Sequence, residues 1–156
     1  MSAEAGFKQV KLPRTRENLV RKAFRAALAV TGYAGPGGTA SVLLTDDEGI
    51  SRIHEQHLGD SGATDVISFG PETAVDVPPV RGSSVPRVFG DIVVSLERAS
   101  QQAEQYGHGE DEELALLVIH GVLHILGYDD GTPRERDEMR RMEQQAMSLV
   151  SGDISR

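Results

Sequence analysis

Residues 111–127 read DEELALLVIHGVLHILG, an acidic start followed by a run with no polar side. Leu114, Leu116, Leu117, Val118, Ile119, Val122, Leu123, Ile125 and Leu126 surround almost the whole cylinder of a helix. A helix that is apolar all round has no face to give to water and belongs at the centre of a domain. Its leading carboxylates suit the positive end of the helix dipole, and Gly127 supplies a C-terminal stop. His120 and His124 are four residues apart on this helix, so their rings project from one face about a turn apart. That spacing lets two imidazoles share one cation. The competing reading is a pair of core histidines satisfied by hydrogen bonds. Burying two polar rings in an otherwise apolar helix is costly without a purpose, which favours the metal.

The chain reverses after Gly127 through Tyr128-Asp129-Asp130, and either carboxylate can return toward the same face as a third ligand. Three protein ligands with an open position describe a catalytic rather than a structural zinc site. The zincin proteases place a Glu base directly after the first His; Gly121 occupies that position, which argues against a protease. A Gly inside a buried helix costs about 1 kcal/mol against Ala. Two explanations stand side by side: room beside the metal for a bulky substrate, or close packing of the helix.

Outward from this helix, Thr132-Pro-Arg-Glu135 is a capping box with Pro at the first helical position. It opens a last helix to about residue 150, with Met139, Met142, Ala146 and Val150 on one face. Upstream, residues 15–31 predict a first helix from Val20, Ala23, Phe24, Ala27 and Leu28, with Gly32 as its stop. Its basic residues, Arg16, Arg21, Lys22 and Arg25, read as a solvated face. A short strand is expected at 41–44. A capping box, Thr45 to Glu48, opens a helix over about 46–58. Strands follow within 64–69 and 88–96, and Ser95 caps a polar helix ending near Tyr106. Residues 70–87 carry four of the seven prolines and read as a long loop. The pattern predicts an α+β domain spanning 1–156: a small mixed sheet, about five helices, and the HxxxH helix buried at the centre.

At 156 residues the chain fits one compact domain. With no Cys, disulfides and thiolate metal sites are excluded. No run approaches a membrane-spanning length and the N-terminus lacks a signal-peptide core, so a cytoplasmic protein with no membrane partner is expected. The net charge of −8 argues against broad, sequence-independent binding of nucleic acid, though not against a local basic groove.

HGVLHILGYDD (120–130) resembles the signature HGxLHLxGYDH of the YbeY endoribonuclease family, departing at a Leu-to-Ile change and at the final His. TDVISF (64–69) resembles the family's TDVLSF, and Gly90-Asp91-Ile92 resembles its GDI before a strand. The blocks run in order over roughly residues 40–145. The resemblance implies a single-domain metal-dependent endoribonuclease of the bacterial cytoplasm. Its expected substrate is single-stranded RNA, and its expected roles are maturation of the 3′ end of small-subunit (16S) ribosomal RNA and ribosome quality control. It implies one zinc per chain on His120, His124 and, by position, Asp130, with Asp129 a turn residue. The metal's bound water is the expected nucleophile, and no side chain is assigned as catalytic. Ribosomal RNA and small-subunit proteins are the implied partners, and a monomer is expected.

Asp130 replaces a family His. Carboxylate oxygen is an acceptable zinc ligand, and the mixed set also suits iron, nickel or manganese. The family's phosphate-contacting Arg falls on Leu58, with His54 and His57 at two neighbouring variant positions. Arg52, Arg81, Arg87, Arg98, Arg134 and Arg136 are candidate phosphate contacts, each read first as a solvated residue. Ser68 is expected near the cavity. The alternative function is a non-catalytic ribosome-assembly factor that binds RNA around a structural metal; a closed four-ligand site would favour it.

Overall fold

The computed structural model describes residues 14–32, 39–58, 66–69 and 88–151. The proposed loop at 70–87, with Arg81 and Arg87, lies outside the described residues, as do Thr64 and Asp65. Three strands, β1 (Thr39–Thr45), β2 (Val66–Phe69) and β3 (Val88–Ser95), form a mixed sheet in the order β1-β3-β2. β3 is central, parallel to β1 and antiparallel to β2. Five helices accompany it: α1 (Arg14–Thr31), α2 (Asp47–Leu58), α3 (Leu96–Tyr106), α4 (Glu110–Ile125) and α5 (Pro133–Val150). This is the expected α+β architecture. No helix among the described residues is long and apolar enough to cross a membrane.

The strand period of two divides the sheet between two cores. Register pairs Val42 with Ile92 and Leu44 with Val94, while Ser68 stands opposite Ile92 on the other side. These residues face α4. The alternate residues Leu43, Val93 and Ile67 turn to the other face and pack with Ile50 and Ile53 of α2. The larger core joins Val42, Leu44, Ile92 and Val94 to Leu114, Val118, Ile119, Val122 and Leu123 of α4, all essentially inaccessible to water. Leu19, Val20, Ala23 and Ala27 of α1 and Met139, Ala146 and Val150 of α5 close that core from outside. α4 therefore touches helices on one side and the sheet on the other, which is why its sequence shows no polar stripe.

Local signals account for most helix ends. Ser95 caps α3 through its Oγ, which accepts the Arg98 N–H at 3.2 Å. Thr132 caps α5 by accepting the Glu135 N–H at 3.1 Å, with Pro133 opening the helix. The α2 start differs from expectation by one residue. Thr45 is the buried last residue of β1, paired with Ser95. Asp46 caps instead, its Oδ1 accepting the Gly49 N–H at 2.8 Å. Arg16 also departs from the solvated face predicted for it. It pairs with Asp111 at 2.7 Å and Glu110 at 3.2 Å, fastening α1 to the acidic first turn of α4.

Candidate metal centre

The site is built by the end of α4 and the turn that follows. At that end the Tyr128 N–H bonds the Leu123 carbonyl at 3.0 Å, and the Gly127 N–H bonds that of His124 at 3.1 Å. These two bonds form a Schellman motif, which needs a left-handed residue after the cap. Gly127 fills that place at φ 101°. The turn sends the chain back past the histidine face. Asp129 then braces it, its Oδ1 accepting the Asp130 N–H at 2.9 Å, and Arg136 Nη1 reaches the Asp130 carbonyl at 3.4 Å.

Three donor atoms converge as a result. His120 Nε2 and His124 Nε2 are 3.0 Å apart, and Asp130 Oδ2 is 3.8 Å from each. The two rings meet edge to face with centroids 4.5 Å apart. A circle through three atoms so spaced has a radius of about 2.1 Å, the length of a zinc bond to nitrogen or oxygen. Regular tetrahedral ligation asks for edges of about 3.3 Å, so the imidazole pair is slightly tight and the carboxylate slightly wide. Asp130 has the freedom to close that gap, since its side chain is 48% exposed against 25% and 28% for the two imidazoles. The donor set fits a divalent cation, and among the described residues these three form the group able to hold one.

A fourth residue was not foreseen. Glu143 of α5 brings Oε2 to 2.6 Å from His120 Nδ1, on the side of the ring away from Asp130. The sequence held a weak sign of it. Glu143 interrupts the inward stripe of Met139, Met142 and Ala146, where a carboxylate needs a partner.

Gly121 resolves in favour of packing. A Cβ there would lie 2.9 Å from Ile92 Cγ2 and 3.1 Å from Ser68 Oγ, so its bare face lets α4 lie against the sheet. Ser68 seals this contact by donating to the Gly121 carbonyl at 3.0 Å. Of the candidate phosphate contacts, Arg52 pairs with Glu48 at 2.9 Å and Arg98 lies 3.4 Å from Asp47, both away from the convergence. Arg134 lines an open recess with Leu126, Gly127, Tyr128 and Asp129, and Arg136 holds the Asp130 backbone, so these two stand beside the site. The side chains of His54, His57 and Leu58 lie outside what is described.

Comparison with known proteins adds an independent line. A family model described as endoribonuclease YbeY matches residues 4–151. A protein named endoribonuclease YbeY from Roseiflexus sp. (strain RS-1) is 40% identical over 133 residues, covering 85% of this chain and 82% of its own. One of the same name from Symbiobacterium thermophilum is 40% identical over 151 residues, covering 94% and 93%. A Thermotoga maritima protein solved in solution shares the fold with a TM-score of 0.59 at 24% identity, over 97% of this chain and 87% of that one.

Proposed function

Because the chain belongs to the endoribonuclease YbeY family, we propose that it is a metal-dependent endoribonuclease whose centre is His120, His124 and Asp130. The observation that carries the reading is the convergence of three donor atoms at the end of a buried helix. Its substrate is single-stranded RNA, and its setting is maturation of the 3′ end of small-subunit (16S) ribosomal RNA and ribosome quality control. Zinc, one per chain, is the metal in this reading. The protein acts as a cytoplasmic, single-domain monomer, alongside proteins of the small ribosomal subunit.

A divalent cation supplies Lewis acidity, which polarises a phosphoryl oxygen and lowers the pKa of water. The chain's own residues set the conditions for that chemistry. His120 and His124 are held by a helix that cannot tilt without disturbing the main core, so their donor atoms are fixed in advance. Asp130 closes the set from a braced but more exposed turn. Three donors, rather than four, converge among the described residues, which favours an open catalytic centre over a closed structural one. Arg134, in a recess it shares with Glu135 and Glu138, and Arg136, on the Asp130 carbonyl, stand beside the turn and offer charge to a phosphate chain.

The test is cleavage of a labelled single-stranded RNA and its duplex by wild type and His124→Ala. Internal cleavage of the single strand by wild type alone supports the proposal. Equal cleavage by both proteins would overturn it.

A further inference from the structure

We propose that Glu143 is a positioning residue of the metal centre, fixing the tautomer and the direction of His120. The inference deepens the metal reading above and rests on it. An ionised carboxylate can only accept, so a 2.6 Å contact to Nδ1 puts the ring proton on that nitrogen. The lone pair is then left on Nε2, the same atom that faces His124 and Asp130. In the opposite tautomer an N–H would point into the convergence and block ligation. The two ends of one ring thus carry matched tasks.

Placement argues the same way. Glu143 is only 18% exposed, on the face of α5 whose neighbours Met139 and Ala146 are buried in the main core. A carboxylate in that stripe is costly unless it is bonded, and His120 supplies the bond. α5 consequently governs the centre from two points. Its first turn holds the Asp130 backbone through Arg136, and its third turn holds His120 through Glu143. Partners of this kind, one bond out from a metal, commonly alter affinity by 10–100-fold when removed.

The experiment compares wild type, Glu143→Ala, Glu143→Gln and His124→Ala by zinc competition with a chromogenic chelator. Long-range proton–nitrogen NMR of the metal-free proteins reads the His120 tautomer in parallel. Glu143→Ala is expected to bind zinc about 10–100-fold more weakly and to lose the Nδ1–H tautomer as the dominant form. Glu143→Gln keeps an acceptor but no charge, so it retains the tautomer and loses less affinity. Should the alanine variant fail to fold, Glu143→Leu, which fills the space without an acceptor, carries the test, and wild-type affinity and tautomer in it would overturn the proposal. Wild-type affinity and tautomer in a folded Glu143→Ala would do the same. Unchanged zinc binding in His124→Ala would sink the metal reading itself, while the tautomer still reports on Glu143.

Discussion

Position 130 is where this chain makes its non-conservative departure from the signature, and the consequence is chemical. A carboxylate brings a hard, anionic oxygen to a centre otherwise made of imidazole nitrogens, and it approaches both at 3.8 Å. Such a set discriminates less sharply for zinc against manganese or iron than three imidazoles do. Asp130→His is therefore expected to raise zinc affinity relative to manganese, and Asp130→Ala to weaken zinc at least about tenfold by removing a ligand. Competition titrations with both metals check this. An Asp130→Ala protein that binds as tightly as wild type would remove Asp130 from the centre. The three donors were legible because two follow from helical spacing and the third from a motif. Glu143 was not, since its role depends on how α5 lies against α4, a tertiary fact that no local pattern carries.

At the level of elements, the α4–sheet contact sets how closely the metal-bearing helix lies on its support. Gly121 carries two opposed effects. Replacing it with Ala would gain about 1 kcal/mol of helix propensity. The new methyl, however, would press on Ile92 Cγ2 at 2.9 Å, and Ile92 is fully buried and β-branched, with little freedom to move aside. Overpacking of this kind costs about 1–3 kcal/mol, so Gly121→Ala should destabilise on balance. Urea unfolding measures it, and a stabilised variant would mean that the helix lies less tightly than described. Sequence alone could not choose between this role and space for substrate, because both need a missing side chain. The α2 cap was misplaced by one residue: Thr45 satisfies the capping pattern, but it is Asp46 whose Oδ1 accepts the Gly49 N–H. Ser95, likewise the last residue of its strand, still caps α3, and Thr132, which lies in no strand, caps α5, so at both the local signal was right.

For the whole molecule, the core is large enough to fold without metal, unlike a zinc finger. The metal should then add to stability rather than create it. At zinc concentrations near a hundredfold excess over Kd, linkage gives about 2.7 kcal/mol, or about 5–10 °C in Tm for a chain of this size. Thermal melts of metal-free and zinc-loaded protein should show that rise in wild type and not in His124→Ala. An unfolded metal-free chain would contradict the picture of a preformed centre. In the proposed function, one metal on His120, His124 and Asp130 makes the chain an endoribonuclease. The most direct test is to add zinc stepwise to metal-free protein while following cleavage of a single-stranded RNA. Activity is expected to climb to one equivalent per chain and then level off, with none at any point in His124→Ala. Cleavage already complete in the metal-free protein, or rising equally in the variant, would contradict it.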